Sequence, residues 1–185
     1  NTITVANHGT YTLTTSNLAT NSNTFNAFDG TTNAWVSGNL ESSYYGGANV
    51  FHQTNLTQLS NLHPTQFGDW LAIEFPYKTT LRHMKLTPLT AAQFPASANI
   101  YATNNDLTWS EIKYWKDVVP VTASNVQTIT VNATEQFKKY ALVATKAAGN
   151  SSNVALQDWQ LFTESFSIDG GKVAMAQQAA TGGET

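Results

Sequence analysis

Asp69-Trp-Leu-Ala-Ile-Glu-Phe75 is the stretch on which the fold of this chain turns. Leu71, Ile73 and Phe75 recur at every second position, and in a strand that period puts all three on one face. Trp70 is assigned with them to a core, opposite Tyr140, Leu142 or their neighbours. Similar short runs lie on both sides: Ile3–Val5, Tyr11–Thr15, Leu81–Leu89, Ala98–Thr103, Val126–Val131, Tyr140–Thr145 and Val154–Phe162. About eight strands at this spacing, broken by turn residues, predict a sandwich, barrel or jelly roll. One helical turn is expected around Phe25–Asp29.

Composition points the same way. Charged residues make up 11% of the 185 residues, less than half the usual share, while Thr and Asn supply roughly a quarter. Thr suits a pleated surface because its Cβ is branched, and Asn suits turns because its side chain bonds nearby backbone. The net charge is −3 and the nine cations are scattered, so the basic stripe that phosphate neutralisation needs is missing. No apolar run approaches the length of a membrane span. The chain begins with Asn, which implies processing or a fragment, and it has no cysteine, which implies assembly in a reducing compartment or on a particle released from one. The sequons at Asn55, Asn132 and Asn150 are expected by chance in such a composition.

Two stretches break the strand pattern. Residues 37–68 hold Gly38, Gly46, Gly47, Pro64 and Gly68 with no sustained alternation, an irregular excursion that nevertheless carries Tyr44, Tyr45, Phe51 and His52. Loops of that length inside a compact domain usually have a function. The tail admits two readings: a helical turn over Lys172–Gln178, or a hairpin in which Phe166–Ile168 and Val173–Met175 bracket Asp169-Gly170-Gly171. Residues 1–163 are therefore taken as the folded domain and 164–185 as an extended tail or linker.

Five segments, in order, resemble the discoidin family (coagulation-factor type C domains, among the galactose-binding-like jelly rolls). They are Ala27-Phe-Asp-Gly-Thr-Thr-Asn-Ala-Trp35, Asp69–Phe75, Ile100-Tyr-Ala-Thr-Asn-Asn-Asp-Leu-Thr-Trp109, Lys139-Tyr-Ala-Leu-Val143 and Leu156-Gln-Asp-Trp-Gln-Leu-Phe162. The resemblance covers roughly residues 20–163 and implies an all-β, discoidin-like jelly-roll β-sandwich of about eight antiparallel strands. It also implies a structural Ca²⁺ held by the carboxylates of Asp29 and Asp158, a side-chain oxygen of Thr32 or Asn33, and the Ala27 carbonyl, hard oxygen donors of the kind Ca²⁺ takes. The Asp29-to-Trp35 interval is one residue shorter than the family's pattern. The Thr/Asn-rich, cysteine-free module with its Ser167-Ile-Asp-Gly-Gly-Lys-Val173 segment is also similar to modules of large algal DNA virus structural proteins and phage fibres.

In this architecture a ligand sits in the loops at one end. Sugar recognition needs an aromatic face against ring C–H groups and polar side chains for the hydroxyls. Tyr44, Tyr45 and His52 are the aromatic candidates, with Asn49 and Gln53 as hydroxyl partners; their alternative role is to tuck the loop onto the domain. In Leu81-Arg-His-Met-Lys-Leu86, alternation places Arg82 with Met84 and Leu86, and Glu74 is a candidate ion partner. Trp115 is either a core residue or an exposed anchor for a partner. The four histidines stand apart, and there is no nucleophile elbow, phosphate loop or cysteine. A carboxylate pair among Asp69, Glu74, Asp106 and Glu111 is the one route left to glycoside hydrolysis.

The chain is therefore expected to be a non-catalytic carbohydrate-binding or adhesion domain on a virion or extracellular surface. Its partners would be cell-surface glycans or other virion proteins, without nucleic acid or membrane insertion, and with self-association through the tail. The alternative is a capsid or fibre subunit that binds only other chains.

Overall fold

A computed structural model describes residues 1–16, 18–38, 68–122, 125–149, 151–169 and 172–179, those after Glu164 as backbone. The described residues form ten strands and two short 3-10 turns. The strands are β1 (Thr2–Val5), β2 (Gly9–Thr15), β3 (Trp35–Val36), β4 (Asp69–Pro88), β5 (Pro95–Thr103), β6 (Ser110–Trp115), β7 (Gln127–Thr130), β8 (Phe137–Ala147), β9 (Ala155–Asp169) and β10 (Lys172–Ala179). All pairings are antiparallel. One layer runs β1-β2-β4-β8-β5-β6. In the other, β4 lies between β7 and β9, with β3 and β10 on the far side of β9.

The two layers share β4. Its first half pairs with β2 and β8; its second half, from Thr80, pairs with β9. The crossing falls at Pro76, whose missing N–H suits a break in the ladder, and the β4–β8 register shifts between Glu74 and Thr79. Tyr140 pins the corner by donating its hydroxyl to the Thr79 carbonyl at 2.5 Å. Gly9 makes the approach possible: its φ is +108°, and a Cβ there would lie 2.9 Å from the Pro76 ring.

Between the layers lies one core. Leu13, Leu71, Ile73, Phe75, Ile100 and Leu142 face Leu81, Met84, Leu86, Leu156, Trp159 and Leu161. Each contributes about 1.5–3 kcal/mol by leaving water. Trp35 and Trp159 are completely buried, and the Trp35 indole N–H donates to Thr15 Oγ1 at 2.9 Å. Tyr11, Phe75, Tyr140 and Phe137 make a chain of edge-on ring contacts, with centroids 5.3, 5.8 and 6.3 Å apart.

Several expectations need correction. Trp70 does not enter this core; one position from Leu71, it points to the opposite face and packs with Trp109 against Ala72, Tyr101, Ala141 and Val143. A β-bulge between Leu81 and His83 takes Arg82 off the Met84–Leu86 face, so Leu81 fills the core position. The Arg82 guanidinium meets Glu164, not Glu74, at 2.6 and 2.8 Å and also donates to the Ala133 carbonyl; Glu74 pairs with Lys138. Of the two readings of Trp115 the core one holds: it is buried and donates to the Pro95 carbonyl, leaving Tyr114 as the exposed ring. The helical alternative for Lys172–Gln178 fails: these residues form β10, and β9 runs on to Asp169, so the tail begins as a hairpin. The turn expected near Phe25–Asp29 is a 3-10 turn at Thr24–Phe28.

Candidate functional site

One rim of the sandwich gathers the ends of β3, β4, β5, β8 and β9. The 39–67 segment leaves and returns at this rim. Its first foot is Ser37, which exchanges bonds with Val154: Ser37 N–H to the Val154 carbonyl at 2.9 Å, and Val154 N–H to Ser37 Oγ at 3.0 Å. Its second foot is Gly68, where a Cβ would fall 2.2 Å from the Ala144 carbonyl oxygen, so only glycine fits. The expected sugar-binding residues Tyr44, Tyr45, Asn49, His52 and Gln53 belong to this segment and lie outside the described residues.

The flanking turns are tied to each other. Thr90 caps residues 91–93, its Oγ1 accepting the Gln93 N–H at 3.3 Å. Gln93 Nε2 donates to Asn153 Oδ1 at 2.7 Å, and Gly149 N–H to the Ala92 carbonyl at 2.8 Å. Ser151 Oγ donates in turn to the Asn153 carbonyl. These side chains make a polar border of amides and hydroxyls beside Ser37.

Beside the rim, the Thr24–Phe28 turn brings Asp29 to β9. Asn23 caps the turn by accepting the Phe25 N–H, and Asn26 Nδ2 donates to the Ala34 carbonyl at 3.0 Å, fixing the return to Trp35. Asp29 Oδ1 accepts the Thr31 N–H at 2.9 Å, an Asx turn eased by Gly30 at φ +66°. Burial raises the Asp158 carboxyl above its ordinary value; the Gln160 amide, donating to Oδ2 at 2.7 Å, opposes this, and the nearby Asp29 carboxylate adds to it. Asp158 Oδ1 is buried without a hydrogen-bond partner. Two carboxylates that repel, one with an orphaned oxygen, are a donor set that fits a hard cation. Ala27 is buried within the turn, while Thr32 and Asn33 are exposed. No group of three His, Cys, Asp or Glu that could hold a metal occurs among the described residues, so further ligands from among them would be hydroxyls and carbonyls.

The carboxylates considered for hydrolysis are each engaged by their own partners. Glu74 pairs with Lys138 and Asp106 with Lys139; Glu111 Oε2 accepts from Asn99 and Tyr101, and the buried Asp69 accepts from Ser16 Oγ. Two features escaped sequence reasoning. A cleft of about 280 Å³ opens between β6 and the β7–β8 connection, with Glu111, Asn132 and Glu135 above Ile112 and Phe137. On the outer face of the second layer, His83 stacks on Phe162 with centroids 4.2 Å apart, and Lys85 lies over the same ring. Alternation did put His83 and Lys85 on one face, but Phe162 joins them only through the β4–β9 register.

No family model and no curated protein matches this sequence. Solved structures do match. A family 32 carbohydrate-binding module from C. perfringens NanJ, in complex with galactose, superposes with a TM-score of 0.56 at 13% identity, over 82% of this chain and 92% of that one. The chain has the family 32 carbohydrate-binding-module fold. A second such module, from Clostridium perfringens and bound to GalNAc-β-1,3-galactose, gives 0.53 at 11%, covering 82% and 94%. A family 89 glycoside hydrolase from Clostridium perfringens gives 0.58 at 17%, covering 88% of this chain but 14% of the hydrolase. This is the discoidin-like, galactose-binding-like jelly roll that the five segments imply.

Proposed function

We propose that this chain is a non-catalytic carbohydrate-binding module whose ligand contacts lie on the rim that carries the 39–67 segment. The observation that carries the reading is extent: the likeness takes in nearly the whole of single carbohydrate-binding modules and only a small part of a hydrolase. Galactose- and GalNAc-terminated glycans are the ligand class it favours. Tyr44, Tyr45 and His52 supply ring faces in this reading, and Asn49 and Gln53 grip hydroxyls. Asp29 and Asp158, with the Ala27 carbonyl and the Thr32 hydroxyl, hold a structural Ca²⁺; the orphaned, buried Asp158 oxygen supports this. The ion would steady the turn beside the rim and take no part in chemistry. Display on a virion or extracellular surface is the setting that the Thr/Asn-rich, cysteine-free composition favours.

A glycan array followed by calorimetry tests the proposal. The wild-type chain binds galactose- or GalNAc-terminated glycans, and Tyr44→Ala/Tyr45→Ala/His52→Ala loses at least about tenfold in affinity, some 1.4 kcal/mol. No binding by the wild type to any immobilised sugar rejects it. A second reading, a capsid or fibre subunit that binds other chains, draws on one observation: β9 and β10 continue past the last residue paired with β4.

A further inference from the structure

The pairing of β4 with β9 ends at Thr80 opposite Glu164, whereas β10 stays in register with β9 from Ala179 opposite Phe162 to Lys172 opposite Asp169. Among the described residues, 165–169 thus have strand partners only in β10, a two-stranded ribbon beyond the sandwich. Such ribbons are marginal in water, and three or more strands are needed for independent stability. The register sets Phe166 opposite Met175 and Ile168 opposite Val173.

β10 also has the most open edge among the described strands. β1 and β7 have four residues each and β3 has two, too short to recruit a partner. β6 has six, with Glu111 and Lys113 within it and a register shift against β5. β10 has eight residues, no proline, and one charge, Lys172, at its start.

We propose that the free edge of β10 pairs antiparallel with β10 of a second copy, making a continuous β9–β10–β10′–β9′ sheet about a two-fold axis. A strand whose single charge lies at one end suits a second copy, and the placement of that charge selects the direction. Antiparallel overlap of the full strand sets Lys172 opposite Ala179, Val173 opposite Gln178, Ala174 opposite Gln177 and Met175 opposite Ala176, so no like charges meet. Parallel pairing would put the two Lys172 side chains next to each other, which destabilises a ladder. The contact is isologous and closes at two chains.

Light scattering of the full chain across a concentration series tests this. The mass rises from 20.1 kDa toward twice that value. Met175→Lys/Ala176→Lys, which sets like charges across the axis, stays at the single-chain mass, as does Met175→Glu/Ala176→Glu. An equal mixture of the two regains the doubled mass, which a variant that failed to fold would not do. A wild type that stays at 20.1 kDa up to about millimolar concentration overturns the proposal, because a Kd above 1 mM means under about 4 kcal/mol of association. So does a lysine variant with wild-type mass, a mixture that stays single, or a wild-type mass of three chains or more.

Discussion

Asp158→Asn should stabilise this protein without calcium and destabilise it with calcium. In the ion-free chain the buried Oδ1 has no hydrogen-bond partner, and the carboxylate is repelled by Asp29. An orphaned buried acceptor costs about 1–3 kcal/mol. The amide keeps an oxygen for the Gln160 donor and removes the charge that Asp29 repels. For a domain of this size each kcal/mol moves Tm by about 2–4 °C, so the variant should melt about 2–12 °C higher in chelator. With Ca²⁺ at about a thousand times Kd, the wild type gains about 4.1 kcal/mol that the variant cannot match, more than the variant's advantage, and the order inverts. The pH dependence carries the same sign. The folded carboxyl sits above 3.8, so its contribution to stability is fully present below 3.8 and is lost as pH rises through the folded value. Scanning calorimetry of both proteins in EDTA and in millimolar CaCl₂ settles the matter. Melting temperatures for both proteins that ignore calcium would refute the cation reading, and a variant less stable in both conditions would refute the repulsion.

Three further outcomes follow from the packing. Trp159→Ala, at a fully buried position between the layers, should cost about 3–5 kcal/mol in urea unfolding; a loss under 1 kcal/mol would contradict the assigned core. Gly9→Ala should destabilise by more than about 1 kcal/mol, since its backbone is left-handed and its Cβ would strike Pro76; a neutral result would contradict the β4 corner. In a double-mutant cycle of Arg82→Ala and Glu164→Ala, the coupling should stay near 1 kcal/mol or below, because both groups are about one-third exposed; 3 kcal/mol would mean a far drier pair.

The alternation of large side chains made the sandwich legible. Leu71–Ile73–Phe75, Tyr140–Leu142 and Trp159–Leu161 fall inward as the period of two requires. Trp70 was misplaced because its size suggested the core, while its position, adjacent to Leu71, sets the face. Arg82 was misplaced because one bulge shifts every later parity, and its partner Glu164 lies 82 residues away. Lys172–Gln178 holds helix formers, and the ladder with β9 outweighs their propensity. At the candidate site, the proximity of Asp29 and Asp158 came from resemblance to a family. The unpaired Asp158 oxygen is a property of packing that no spacing displays.

The measurement that bears most directly on the account is a backbone amide titration by NMR with GalNAc-β-1,3-galactose. Saturable shifts confined to the rim are expected, in segments 29–38, 89–94 and 148–154 and in the 39–67 segment they flank. Shifts centred on the Glu111–Glu135 cleft, or none at tens of millimolar sugar, would contradict it.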